Sequence, residues 1–348
     1  MGKILNIGQI VSFGVGGADK SALNLVKGLL KLNENIKVTV FYNKFSFPRN
    51  YELTTNPSRF SEYKSLPLDL IKITNVNELN NYNIDILNTH RSGNDNWFLP
   101  NFEATNFNFK IVETNFHGYN KTKSDYRVYP SKEIIKYLQP TKIPYSIIPN
   151  PIIRPLTTLN LREELKINNK FVYGRIGRVD DEIYSNISLQ AYKKIESTDT
   201  CFLYVGKNEK AVSDAKKLEI KNIIFLNPTS DEIKVSKIYN TFDVLCHSTP
   251  LGETFGNTIA EAMINGKPVV SHIGNGTWPQ AQKELLGEKK ELFITHDIIN
   301  SYTNLMLKLK NNKKFYNLIS TYLKHRALDY YDYIKVSKKY LELYLELL

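Results

Sequence analysis

Short apolar runs of strand length alternate with segments of helical period along nearly the whole chain, and this alternation restricts the fold more than any other feature. Near the N-terminus, KILNIGQIV reads as a buried strand and SFGVGGAD as a loop. A helix follows from about Lys20 to Lys31, with Ala22, Leu23, Val26, Leu29 and Leu30 at helical spacing, and then KVTVFY as a second strand. IDILNTH and FKIVETNF supply further strand candidates, each followed by polar or helical sequence. A strand, helix, strand order brings consecutive strands side by side in the same direction, which predicts an α/β layer built on a largely parallel sheet.

The alternation breaks once, at SIIPNPIIRPLTTLN, where Pro149, Pro151 and Pro155 oppose helix formation and mark a domain boundary. It then resumes. KFVYGRIG, TCFLYVG, IIFLN, FDVLCHS and KPVVSHI are strand candidates, separated by helical stretches such as Ser188 to Ile195 and Thr258 to Asn265. A second α/β domain is expected, which suits a chain of 348 residues. From Asn300 onwards the sequence reads as helical and ends in the amphipathic YIKVSKKYLELYLELL.

Lys and Arg number 46 against 35 Asp and Glu, a net charge of +11 that favours an anionic partner without choosing among phosphate, nucleic acid and acidic membrane. No zinc-finger or RNA-recognition signature accompanies the charge, so no specific nucleic-acid partner is expected. No run approaches the roughly 18 apolar residues of a membrane span. Cys201 and Cys246 both lie in apolar segments, as buried thiols do. A soluble cytoplasmic protein is the expectation.

Three segments carry candidate chemistry. In SFGVGGADK, Gly14, Gly16 and Gly17 stand between a strand and a helix, where backbone N–H groups receive an anion or the chain merely turns tightly. In VYGRIGRVDDE, Arg175 and Arg178 lie near a strand's C-terminal edge, the place where ligands gather in open α/β sheets. Arg178 there either holds phosphate with its fork of donors or forms a surface ion pair with Asp180, Asp181 or Glu182.

In GETFGNTIAEAMINGKPVV, Glu253 stands in a turn and Glu261 about one helical turn inside the helix that follows, with Gly256 and Asn257 at its start. The N–H groups of Asn257 and Thr258 would face an anion. Carboxylates accept hydrogen bonds from sugar hydroxyls, so such a pair suits hydroxyl recognition beside a phosphate; a helix N-terminal acid plus an exposed helix glutamate is the plainer alternative. His90 and His117 follow strand candidates without a zinc-binding spacing, and either suits a structural or surface role equally.

Taken in order, these segments resemble retaining glycosyltransferases of the GT-B fold, specifically glycosyltransferase family four. The strongest match is Glu253 to Glu261 with seven residues between, followed by EAM-x-x-G-x-PVV; GGADK, IIPNPI, GRIGR and FLYVG support it. The resemblance implies two Rossmann-like domains facing a cleft. Residues 1–150, joined by a C-terminal helix at about 331–348 that crosses back, would form the acceptor side, and residues 151–330 would bind the nucleotide sugar.

By motif, the resemblance implies that Glu261 binds the donor ribose, Glu253 the hydroxyls of the transferred sugar, and the backbone of Phe255, Gly256, Asn257 and Thr258 the sugar or diphosphate. Gly16 and Gly17 would approach the diphosphate, Arg178 would stabilise the leaving group, and His117 matches the family's first-domain histidine. Tyr184 stands where the family commonly has a lysine, with Lys207 as a substitute cation. No metal or cofactor is implied beyond a GDP- or UDP-sugar donor such as GDP-mannose or UDP-glucose. The acceptor would be a glycan, glycoprotein or glycolipid, with peripheral membrane contact if it is a lipid. A nucleotide-sugar epimerase of the same fold and a catalytically weakened sugar-nucleotide-binding protein are the rivals.

Overall fold

The computed structural model describes residues 4–32, 35–47, 59–93, 100–137, 141–292, 294–295 and 297–348. Every pairing between named strands in it is parallel. The chain divides into two units, one running to Ile152 and regaining Tyr331–Leu348, the other comprising Ile153–Tyr330. The division falls inside the proline-punctuated segment.

The first unit contains β1 (Leu5–Ile10), α1 (Gly17–Lys31), β2 (Ile36–Tyr42), α2 (Phe60–Lys64), β3 (Asp69–Lys72), β4 (Ile86–Arg91), β5 (Lys110–Asn115), β6 (Tyr126–Tyr129), α3 (Lys132–Ile135) and β7 (Tyr145–Ile147). Its strands take the order β3-β2-β1-β4-β5-β6-β7, so the strand order reverses between β1 and β4. The second unit contains β8 (Phe171–Ile176), α4 (Ile187–Lys193), β9 (Thr200–Val205), α5 (Glu209–Lys217), β10 (Ile223–Leu226), α6 (Glu232–Thr241), β11 (Val244–Cys246), α7 (Asn257–Ile264), β12 (Val269–His272), α8 (Gln282–Leu286), β13 (Ile294–Thr295), α9 (Ile298–Asn311) and α10 (Lys313–Tyr330). Its order is β10-β9-β8-β11-β12-β13, with the reversal between β8 and β11. Each unit is thus a Rossmann-like parallel α/β layer, as the alternation predicts.

The last helix, α11 (Tyr333–Glu346), belongs to the first unit. Val336, Tyr340, Leu341, Leu343 and Tyr344 join a core with Leu23, Val26 and Leu29 of α1 and Ile7, Val38, Ile86 and Val112 of the sheet. Gly28 is where α1 and α11 meet: a Cβ there would collide with the Ser337 side chain. The opposite sheet face carries a second cluster that includes Ile10, Phe41, Leu87, Ile111 and Phe102. No helix among the described residues is long and apolar enough to cross a membrane. Cys201 and Cys246 are free and buried, as expected, and burial pushes both thiols up, Cys201 to about 11.

Two polar groupings sit inside this apolar frame. Gln9, Asn88 and Thr114 are buried on adjacent strands, and the Tyr340 hydroxyl lies 3.1 Å from Thr114 Oγ1, which ties α11 to the middle of the sheet. His90 Nε2 is 2.9 Å from Gln9 Oε1 in the same network. Beside it, Glu113 is fully buried between Arg91 and Arg127, at 3.4 and 3.2 Å, and accepts from Thr122 Oγ1 at 2.7 Å. A second carboxylate, Glu103, accepts from Arg91 Nη1 at 2.7 Å, so two arginines meet two acids, and further donors turn to the carbonyls of Lys123 and Thr122 and to the Asn120 side chain.

Burial pushes the His90 imidazole down from 6.5 to about 3, so folding keeps it neutral. Above pH 6.5 both folded and unfolded chains hold it neutral and it confers no pH dependence. As pH falls below 6.5 the unfolded chain takes up a proton that the folded one refuses, and stability drops by about 1.4 kcal/mol per pH unit towards pH 3. The difference in urea-unfolding free energy between wild type and His90→Gln should therefore shrink steadily as pH is lowered from 6.5 to 4; a difference that stays constant would show that His90 titrates normally.

Candidate functional site

In the second unit the strand exits of β8 and β11 are neighbours, because Val244 pairs with Tyr173 and Leu245 with Gly174. Gly174 has no alternative at this crossing, since a Cβ would clash with the Phe242 ring. β8 runs out into Gly177 and Arg178, and β11 into His247 and the loop that carries Glu253. The two richest motifs of the sequence therefore leave the sheet side by side at its topological switch point.

Arg178 is exposed, and its Nη1 is 3.0 Å from Asp180 Oδ2, both side chains about half open to solvent. Of the three acids considered for that pair, Asp180 is the partner, while Asp181 pairs with Lys210 at 3.2 Å. An exposed pair of this kind is worth about 0–1 kcal/mol, so an anionic ligand can displace Asp180 at small cost. Arg175 is different: it is buried within β8, and its guanidinium lies over the Tyr204 ring at 4.7 Å. Tyr184 donates its hydroxyl to Asp214 Oδ2 at 2.8 Å, and burial raises its pKa, so it supplies a neutral dipole where a lysine would supply charge. Lys207 is exposed, with no hydrogen bond or ion pair of its side chain among the described residues.

The loop from β11 to α7 is shaped by two glycines at positive φ, Gly252 at 128° and Gly256 at 100°. Gly256 is the N-cap of α7, and its carbonyl accepts the Ile259 and Ala260 N–H groups at 3.1 Å. Phe255 is buried, so its side chain anchors the loop. Asn257 and Thr258 are half-buried in the first turn. Beyond them Ile259, Ala260, Ala262, Met263 and Ile264 are buried almost all round the helix.

The two glutamates differ sharply in setting. Glu261 is buried on α7, 9% exposed, and its Oε2 accepts the Tyr239 hydroxyl at 2.7 Å; the plainer alternative of an exposed helix glutamate does not hold. Glu253 is 30% exposed, and its Oε1 lies 3.0 Å from His247 Nε2. His247 Nδ1 is in turn 2.9 Å from Ser271 Oγ, which is fully buried on β12. Neither His247 nor Tyr239 was a sequence candidate. The available signal for His247 was a polar residue directly after the apolar strand VLC, six positions before Glu253.

In the first unit the glycine loop closes on a carboxylate of its own helix. Gly16, the N-cap of α1, donates its N–H to Asp19 Oδ2 at 3.1 Å, and a Cβ on Gly14 would collide with that oxygen. Burial raises the Asp19 pKa, opposed by hydrogen bonds from Ser12 and the Gly16 N–H and by the Arg59 charge. The helix start thus already holds one acid at Gly16, and Gly17 opens the helix directly after it. His117 is exposed just beyond β5, where Asn115 Oδ1 accepts the N–H groups of His117 and Gly118 at 3.2 and 2.7 Å. His90 is the fifth of the six residues of β4, half-buried, and its ring joins the Gln9 and Asn88 side chains already described. Among the described residues no group of three or more metal-ligating side chains comes together.

Comparison with known proteins agrees with this layout. In fold the chain is similar to a HepE protein of Anabaena solved with UDP and glucose, with 15% identity, a TM-score of 0.72 and coverage of 99% of this chain and 100% of that one. A glycosyltransferase of Rickettsia africae gives the same identity and TM-score over 99% of both chains. A sucrose-phosphate synthase of Thermosynechococcus elongatus follows at 14% identity and 0.70, again over 99% of both chains. No match to a curated protein was found. At such identities the likeness speaks to the fold, two Rossmann-like domains of the GT-B kind. Residues 170–312, which hold the switch-point motifs, match the family model described as Glycosyl transferases group 1.

Proposed function

We propose that the protein transfers a hexosyl group from a nucleoside-diphosphate sugar to an acceptor hydroxyl, with retention at the anomeric carbon. The observation that supports this is that Glu253, Glu261 and Arg178 lie on the segments that follow β8 and β11, where the strand order reverses, within the residues that match the Glycosyl transferases group 1 model. Support for the donor class comes from the similar HepE protein, which was solved with UDP and glucose and with UDP-glucose. A UDP-sugar is accordingly the first donor to test, with GDP-mannose as the comparison.

In this mechanism the bond between the anomeric carbon and the diphosphate oxygen breaks, and its electron pair leaves with the diphosphate. The acceptor oxygen bonds to the same face of the sugar and its proton passes to the departing diphosphate oxygen. Arg178 exchanges Asp180 for the diphosphate and stabilises the charge that develops there. Lys207 and the first-turn backbone from Phe255 to Thr258 add positive potential, so the charge stabilisation falls on protein groups and no metal is assigned.

Glu261, oriented by Tyr239, is assigned to the ribose hydroxyls, and Glu253 to those of the transferred sugar. His117, exposed on its loop, is proposed as a hydrogen-bond partner of the reacting sugar. The acceptor is proposed to be a glycan, glycoprotein or glycolipid, reached from the cytoplasm with peripheral membrane contact if it is a lipid.

Calorimetric titration with UDP, GDP and their hexose conjugates, followed by donor hydrolysis assays, should reveal one base bound in preference and a slow release of that diphosphate. Failure of every sugar nucleotide to bind would refute the proposal, and an isomerised sugar nucleotide as product would replace transfer by epimerisation. Arg178→Ala should lower turnover at saturating donor about 10²- to 10³-fold; wild-type turnover would remove Arg178 from leaving-group departure. Glu261→Ala should abolish the preference for a ribonucleoside diphosphate over its 2′,3′-dideoxy counterpart, a difference of about tenfold or more in wild type. Persistence of the full preference in that variant would place the ribose elsewhere.

A further inference from the structure

Resting on the donor-binding function just proposed, we infer that His247 is a positioning residue for donor-sugar recognition, acting through Glu253 with Ser271 behind it. Three side chains form the relay: Ser271 Oγ 2.9 Å from His247 Nδ1, and His247 Nε2 3.0 Å from Glu253 Oε1. Both inner members are closed off, with Ser271 fully buried and His247 8% exposed, whereas Glu253 opens to solvent. A row of polar groups that runs from the sheet interior to one exposed carboxylate serves whatever that carboxylate meets.

The donor and acceptor inventory fixes the direction of the relay. An ionised carboxylate only accepts, so the Glu253 contact requires a proton on His247 Nε2. In neutral imidazole Nδ1 is then the acceptor, and Ser271 Oγ–H donates to it, selecting that tautomer. One oxygen of Glu253 is thereby held. Among the described residues the other, Oε2, takes no hydrogen bond and is left to a sugar hydroxyl.

Backbone contacts hold both ends of the relay at fixed separation. Tyr302 donates its hydroxyl towards the carbonyls of His247 and Val270, at 3.0 and 3.1 Å, across the β11–β12 pair. The Glu253 carbonyl accepts the Ala281 N–H at 2.9 Å, and the Gln280 side chain holds the Leu251 carbonyl of the same loop, also at 2.9 Å. Gly256 closes the loop at a φ of 100° that a side chain would strain, and a Cβ there would also press on Leu285 at 3.0 Å. A carboxylate so restrained discriminates among hydroxyl arrangements that a freely rotating one would accept alike.

The relay acts on the sugar and not on the nucleotide, which gives a readout that a merely structural histidine would not move. Binding of the nucleoside diphosphate and of the corresponding sugar nucleotide is measured for wild type, His247→Leu, His247→Gln and Ser271→Ala, each checked by thermal unfolding. His247→Leu should weaken the sugar nucleotide about tenfold or more while the diphosphate is bound within about twofold of wild type. His247→Gln keeps an N–H at comparable reach and should recover most of that loss, and Ser271→Ala, which frees the tautomer, should fall between. In a Glu253→Gln background His247→Leu should add little.

Equal weakening of both ligands, or no weakening of either in folded His247→Leu or Ser271→Ala, would overturn the inference and leave the transferase proposal standing. Wild-type protein that binds diphosphate and sugar nucleotide equally would overturn the role of Glu253 as well. Binding of neither ligand by wild type would refute the proposed function and the inference together.

Discussion

Parallel pairing is the constraint on which everything else in this protein depends. A parallel strand has to be followed by a crossover before its partner begins, so all strands of a sheet deliver their C-terminal ends, and the loops after them, to one edge. Where the strand order reverses, two neighbouring loops diverge and leave a crevice. In the second unit that reversal lies between β8 and β11, the strands that precede GRIGR's second arginine and the Glu253 loop. The chemistry of this domain is thus set by topology first and by side chains second. Glycines permit it locally, since Gly174 and Gly256 lie where a side chain would obstruct the packing or the turn.

A second consequence of that edge is the contrast between Glu253 and Glu261. They are separated by seven residues in sequence, yet one ends a buried relay and the other is buried on a helix among Ile259, Ala260, Ala262, Met263 and Ile264, with a tyrosine on its carboxylate. Each therefore has a dedicated partner from a different element, Tyr239 from α6 and His247 from the β11 exit. Partners that hold one oxygen of a carboxylate define what the group can still accept, and that is how a generic acid becomes a selective one.

Much of this architecture was legible in the sequence because strands buried on both faces read as apolar runs: β1, β5 and β8 to β12 fall within the predicted segments, and β2 and β4 overrun theirs by Ile36 and Arg91. The strands that escaped are β3, β6, β7 and the two-residue β13. β3 and β7 are short and partly exposed, so they lack the apolar signature. β6, YRVY, hides behind Arg127, whose buried charge is met by Glu113 from the neighbouring strand and by the Thr122 carbonyl. Charge compensation of this sort is invisible along one strand. The same limit applies to the site: the glycine loop read equally as an anion site or a tight turn, and only the folded chain shows Asp19 reaching back to it. His247 gained meaning only when β12 placed Ser271 behind it.

The return of α11 reverses the usual order of maturation. As the chain leaves the ribosome, the second unit is contiguous from Ile153 to Tyr330 and has all its own residues before the first unit does. The earlier-made sheet must wait for Val336, Tyr340 and Tyr344 to cover the face beside α1, so its apolar surface stays open through most of synthesis. The N-terminal half is synthesised first and finished last, and a chain truncated between Tyr330 and Tyr333 would keep every residue of the second unit while leaving the first without α11.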